Sequence, residues 1–231
     1  MTRVVLFDID GTILLSLGAG RVAMEAALVD GFGRPGPRGY RYDGKTDKLI
    51  VRETMRLEGF DDAEIDARMD AVLDRYLDNL HQVLADGTRQ AYALPGVMEL
   101  IDEVERADDL VLGLLTGNVV PGARAKLGAV GLDFDRFRVG AFGSDHEERP
   151  QLPPIAQARA SALLGYAVPG DRLIIIGDTP ADVHCGRGVG ARAIAVATGG
   201  FTVEELAAHD PAATFADLSD TTAVLEAIRH A

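Results

Sequence analysis

Two apolar runs in this sequence end in the same way. Val4-Val5-Leu6-Phe7 leads into Asp8-Ile9-Asp10-Gly11-Thr12, and Leu173-Ile174-Ile175-Ile176 leads into Gly177-Asp178-Thr179-Pro180-Ala181-Asp182. A buried strand that stops at carboxylates puts them at its C-terminal end, the edge of an open α/β sheet where ligands bind. Asp10-Gly11 also reads as a plain turn, since Asp-Gly is a common turn pair. That reading leaves Asp8, at the margin of the core, without a purpose. Three or four carboxylates gathered at one edge repel one another and raise each other's pKa unless a cation neutralises them. Hard oxygen ligands favour Mg²⁺, which keeps several waters and bridges to phosphate groups.

A third apolar run ends at Leu114-Leu115-Thr116-Gly117-Asn118, with Pro121 behind it as a helix start. A small hydroxyl and free backbone N–H groups at such a junction make an anion site. Thr-Gly-Asn is equally compatible with an ordinary loop, and its place after a core strand is what favours the site.

The elements that must position these residues follow from periodicity. Short apolar segments predict strands at 3–8, 111–115, 139–142, 173–177 and 193–197, with helical patterns at 96–106, 121–130, 154–164 and 181–189 between the later ones. Such alternation predicts a parallel sheet covered by helices on both faces. From 17 to 93 the pattern changes to helices at 20–30, 46–58 and 63–84 with no convincing strand, and Leu94-Pro95-Gly96 closes the segment. The expected organisation is an α/β core of residues 1–16 and 94–231 interrupted by an all-helical insertion, 17–93.

Composition narrows the function further. At 231 residues the chain accommodates one domain plus a substantial insertion. Its 36 acidic and 23 basic residues give a formal charge of −13, a field that repels polyanions, so nucleic acid is not an expected partner. A small anionic substrate remains compatible, because a cation and local donors reverse the potential where it matters. Neither a secretory leader nor a bilayer-length apolar run is visible, which predicts a cytoplasmic protein with no membrane contact. Cys185 is the single cysteine, which excludes an internal disulfide and a cysteine-rich zinc site. It is expected as a small buried residue on a helix. His81, His146, His184 and His230 are scattered without metal-site spacing.

Asp8-Ile9-Asp10-Gly11-Thr12, Thr116-Gly117-Asn118 and Gly177-Asp178-Thr179-Pro180-Ala181-Asp182 resemble the first, second and fourth motifs of the haloacid dehalogenase superfamily, in the superfamily's order. The resemblance implies a Rossmann-like core with a helical cap at 17–93 and a phosphohydrolase of the phosphoglycolate phosphatase-like group. Asp8 would attack phosphorus to form an aspartyl-phosphate, and Asp10 would protonate the leaving oxygen and then deprotonate water. Asp8, the Asp10 carbonyl and Asp178 would hold Mg²⁺, with Asp182 and Thr12 supporting them from behind. Thr116 and the amides of Gly117 and Asn118 would bind phosphoryl oxygens. Dehalogenase members generally lack an acid at the place of Asp10, so that activity is not expected.

The superfamily's third motif usually supplies a lysine, and Glu147-Glu148-Arg149-Pro150 contains none. Arg149 is the best substitute, its planar fork suiting both a phosphate and a carboxylate. The alternative is a solvated loop arginine paired with Glu147 or Glu148. In the insertion, Gly44-Lys45-Thr46-Asp47 resembles a substrate-facing loop in which Lys45 would meet a second anionic group of the substrate. Thr46 is otherwise a helix N-cap and Lys45 a surface charge. The expected partner is a small-molecule phosphate ester. Two alternatives stand beside hydrolysis: a phosphomutase resembling β-phosphoglucomutase, against which Thr12 weighs mildly, and a silent phosphate-ester-binding protein.

Overall fold

The computed structural model describes residues 2–87 and 89–231. In chain order the elements are β1 (Arg3–Phe7), β2 (Leu14–Leu15), α1 (Ala19–Phe32), α2 (Asp47–Leu57), α3 (Asp62–Ala85), β3 (Tyr92–Ala93), α4 (Val97–Arg106), β4 (Leu110–Thr116), α5 (Val120–Ala129), β5 (Val139–Phe142), α6 (Leu152–Leu164), β6 (Leu173–Gly177), α7 (Pro180–Cys185), β7 (Arg192–Val196), α8 (Val203–Ala207), β8 (Ala213–Phe215) and α9 (Thr221–His230).

Six strands form one parallel sheet in the order β5-β4-β1-β6-β7-β8. β1 is its centre because its residues are apolar on both faces. Alternation sends Val5 and Phe7 into the layer with Leu100, Ile101 and Val104 of α4, and Val4 and Leu6 into the layer with Leu152, Ala156 and Ala160 of α6. Helices therefore cover both faces, an α/β Rossmann-like architecture as expected.

Between β1 and α4 the chain leaves the sheet for a helical layer. Thr46 caps α2 by accepting from Leu49 N, and Asp61 and Glu64 form a reciprocal capping box on α3. The apolar stripes of α1, α2 and α3 bury Met24, Leu28, Val51, Met55, Val72 and Tyr76 against one another, and Val119 of the core joins that cluster.

The expected strand-free insertion is corrected in one place. Tyr92–Ala93 pairs antiparallel with Leu14–Leu15, so a small ribbon ties the entry and exit of the insertion together. Two-residue strands have no periodicity to read. β8 also went unanticipated, being three half-buried residues at the sheet edge.

Leu100 is fully buried against β1 and β4, whereas Leu57 is 65% exposed. Leu100→Ala is expected to cost about 2–5 kcal/mol in urea unfolding, and Leu57→Ala under about 0.5 kcal/mol. Equal costs would contradict this placement of the core.

Candidate functional site

Parallel register carries three strand ends to one edge. Phe7 lies opposite both Leu114 and Ile176, and Asp8 N donates to the Ile176 carbonyl at 2.9 Å. Asp8, Thr116 and Asp178 thus leave the sheet together and border one cavity of about 300 Å³. Asp10, Gly117, Asn118 and Arg149 line it from the core, and Arg21, Lys45, Asp47 and Tyr76 from the helical insertion.

Thr12 and Asp182 stand behind this wall. Thr12 is fully buried, and its Oγ1 donates to Asp178 Oδ1 at 3.0 Å. Asp182 is the third residue of α7, where its Oδ2 accepts from Thr179 N at 3.0 Å and Thr179 Oγ1 at 2.7 Å, closing a capping box. Its Oδ1 accepts from Arg149 Nη2, so both carboxylate oxygens are engaged.

Arg149 is no solvated loop arginine. It is 4% exposed, with Nη2 3.2 Å from Asp8 Oδ2 as well as against Asp182. Glu147 pairs instead with Arg52 across to α2, at 2.7 Å. Burial alone would lower the guanidinium pKa, but Asp182 and Asp8 hold it up.

The charge balance at this edge is one-sided. Asp8, Asp178 and Asp182 can each offer an oxygen such that all three lie within 4.8 Å of one another, and all are buried. Among the described residues Arg149 is the one cation paired with them, so with all three ionised two negative charges would be uncompensated. Burial, against the opposing pull of Arg149, pushes Asp8 up to about 6. Burial, with Asp182 and Asp8 adding to it, raises Asp178 as well. Asp178 Oδ2 occupies space that a Cβ on Gly11 or Gly199 would fill. Hard oxygens, enclosure and a deficit of two positive charges fit a divalent cation held by Asp8 and Asp178.

On the other side of the cavity, Asp10 Oδ2 accepts from Asn118 Nδ2 at 2.8 Å and from Lys126 Nζ at 2.6 Å. Asn118 Nδ2 also donates to Thr116 Oγ1 at 2.8 Å. Lys126 was missed in the sequence because its neighbours suggest an ordinary helix. The available signal was its position: Gly122, Ala123 and Leu127 are the other buried residues of α5, so Lys126 occupies the apolar stripe.

The insertion closes the cavity through residues 44–48. Thr46 Oγ1 donates to the Glu147 carbonyl at 2.6 Å, Asp47 N donates to the Gly117 carbonyl at 2.9 Å, and Asp47 Oδ2 accepts from Val119 N at 2.8 Å. A Cβ on Gly117 would overlap the Lys45 carbonyl, so only glycine permits this approach. Lys45 lines the cavity while its Nζ is held by Tyr40 Oη at 2.6 Å and Glu53 at 2.5 Å. Asp47 was quoted in the sequence only as part of a motif; it is buried, and burial, opposed by Lys126, raises it to about 6. Cys185, the last residue of α7, is buried, and burial pushes its thiol up to about 12, unsuited to nucleophilic work.

A buried carboxylate cluster at the end of the central parallel strand, under a helical insertion, marks the ligand site of an α/β protein. Residues 5–187 match the haloacid dehalogenase-like hydrolases, and the chain belongs to that family. It is 26% identical over 224 residues to a phosphoglycolate phosphatase of Rhodospirillum rubrum, covering 95% of this chain and 89% of that one. A phosphoglycolate phosphatase of Pseudomonas syringae pv. tomato is 24% identical over 221 residues, with coverage of 94% and 78%. The crystal structure of a hydrolase from Pseudomonas syringae shares the fold, with a TM-score of 0.74 at 23% identity and 98% coverage of both chains.

The raised pKa values have a definite consequence for stability. Relative to the ordinary carboxylate value of 3.8, Asp8 and Asp178 bind protons more tightly when folded. The contribution of Asp8 to stability is complete below about pH 4 and is lost as pH rises through about 6, and that of Asp178, raised in the same direction, is likewise lost as pH rises through its folded value. In EDTA, the midpoint of thermal unfolding is expected to fall between pH 5 and 7.5. A divalent cation should restore it at pH 7.5 and have little effect at pH 5. An equal cation effect in Asp178→Asn would remove Asp178 from the cation site.

Proposed function

We propose that this enzyme is a Mg²⁺-dependent phosphatase that hydrolyses a small organic phosphomonoester, of phosphoglycolate type, through an aspartyl-phosphate on Asp8. The observation that carries the reading is the setting of Asp8: a buried carboxylate at the end of the central strand, with Arg149 at 3.2 Å and Asp10 across the same cavity. Its phosphoglycolate phosphatase relatives, which match along nearly its whole length, support the substrate class.

In this reading Asp8 attacks phosphorus in line, and the P–O ester bond breaks with its electron pair moving to the leaving oxygen. Asp10 gives that oxygen its proton, then takes one from the water that cleaves the aspartyl-phosphate. The Thr116 hydroxyl and the amides of Gly117 and Asn118 hold the phosphoryl oxygens. Arg149 keeps the Asp8 carboxylate aimed at the cavity and is itself anchored by Asp182. Asp8, Asp178 and the Asp10 carbonyl would hold Mg²⁺, which would supply charge neutralisation for the phosphoryl group. The helical insertion, residues 17–93, acts as a cap that excludes water. A cavity of about 300 Å³ with Arg21 and Lys45 on its cap side suits a small ester carrying a second anionic group.

The test is phosphate release from a panel of small esters, including phosphoglycolate and sugar phosphates, with Mg²⁺ or EDTA. Release is expected with Mg²⁺ alone, without a sugar bisphosphate activator, and Asp8→Asn should abolish it. Absence of release from every ester would overturn the phosphatase reading. Arg149→Met should lower kcat by about 10²–10³-fold, comparable to removing an oriented charge-stabilising donor. Near-normal turnover in that variant would remove Arg149 from the machinery.

A further inference from the structure

Lys126 is a buried cation that the mechanism above does not use. It is 4% exposed, on the inward face of α5, and with Arg149 it is one of two buried cations among the described residues. Its Nζ makes two short bonds, each 2.6 Å, to Asp10 Oδ2 and Asn118 Oδ1. Asn118 closes the triangle by donating from Nδ2 to the same Asp10 oxygen at 2.8 Å. The ammonium borders the cavity, and α1 of the cap approaches it closely, since a Cβ on Gly20 would stand 3.3 Å from Nζ.

We infer that Lys126 is the positioning residue for the proton transfer of Asp10, as Arg149 is for the attack of Asp8. This rests on the reading of Asp10 as the proton donor to the leaving group. Both donors reach Oδ2, and Oδ1 makes no hydrogen bond among the described residues, although Asp10 borders the cavity. A carboxyl group whose Oδ2 accepts from an ammonium and an amide carries its proton on Oδ1, the oxygen left free for substrate. When the ester bond breaks, its electron pair goes to the leaving oxygen, the Oδ1 proton follows, and an alcohol and the Asp10 carboxylate result. The new negative charge then lies against Lys126 with no side chain needing to move. Asn118 couples this to phosphate binding, because its Nδ2 also donates to Thr116 Oγ1 at 2.8 Å.

The discriminating readout is leaving-group dependence. An alkyl alkoxide leaves only with a proton, whereas p-nitrophenolate leaves without one. kcat/KM reports the steps through loss of the alcohol. It should be measured with Mg²⁺ for a small alkyl phosphate and for p-nitrophenyl phosphate in the native enzyme, Asp10→Asn, Lys126→Met and Lys126→Arg. Asp10→Asn and Lys126→Met are expected to lose about 10²-fold or more on the alkyl ester and under about tenfold on the nitrophenyl ester. Lys126→Arg should recover part of the alkyl activity. Equal losses on both esters in Lys126→Met, or alkyl activity within about threefold of native, would overturn the role of Lys126 while leaving Asp10 intact. A flat leaving-group profile in Asp10→Asn overturns the proton-donor reading, and this proposal with it. If Lys126→Met does not fold, Lys126→Gln, which keeps a donor without the charge, is expected to show the same selective loss, and a non-selective one counts against the proposal.

Discussion

Everything at this site depends on holding like charges together out of water. Asp8, Asp178 and Asp182 are each at most 5% exposed, and unpaired carboxylates in such surroundings are strongly disfavoured. They stay because the sheet does not let them leave. Asp8 follows β1, which is hydrogen-bonded on both sides and buried on both faces. Asp178 follows β6, its immediate neighbour in the sheet. Arg149 offsets part of the repulsion, Thr12 and Thr179 supply hydrogen bonds, and a divalent cation held by Asp8 and Asp178 would complete the balance. The apolar layers around β1 therefore have a role beyond stability, since they hold an electrostatic arrangement that would otherwise relax.

The same economy of contacts joins the helical insertion to the core. Residues 44–48 do not merely cover the cavity, because they hydrogen-bond to the loop that carries Thr116, Gly117 and Asn118. Asp47 sits between the two bodies, its backbone on Gly117 and its carboxylate on Val119 at the N-cap of α5. The helix capped in this way is the one that carries Lys126. Separating the insertion from the core exchanges these bonds for bonds to water, a cost of about 0.5–1.5 kcal/mol for each. Tyr76 and Val119 add apolar contact across the same seam.

The legibility of the fold and site followed physical scale. Five sheet strands were readable because full burial makes them continuous apolar runs, and the carboxylates that end β1 and β6 stand out by contrast. The β2–β3 ribbon and β8 were not, being too short for a period of two to register. Arg149 was legible by its place before a proline, and its burial separated the two readings left open. Lys126 reaches Asp10 from 116 residues away, a contact that depends on the crossing of α5 over the strand ends. Periodicity places a residue on a face of its own helix but does not say which loop that face meets. Asp47 escaped for the same reason, because a capped helix start in a polar segment gives no sign that it is docked on another body.

The acidic character of the chain, a formal −13, bears on recognition once the positions of the cations are known. Lys126 and Arg149 are buried, and Arg21 and Lys45 are partly neutralised by Glu25 and Glu53. None of them projects a positive field far beyond the cavity, since surface charges are screened within about 8 Å at physiological ionic strength. An anion approaching from outside meets a repelling surface and gains attraction only inside, where the dielectric is low and the donors are already oriented. Such a site favours ligands small enough to enter completely, and a polyanion that must remain partly outside keeps the repulsion without the compensating contacts. One charge arrangement thus works against a polyanion and in favour of the small phosphate ester proposed as substrate.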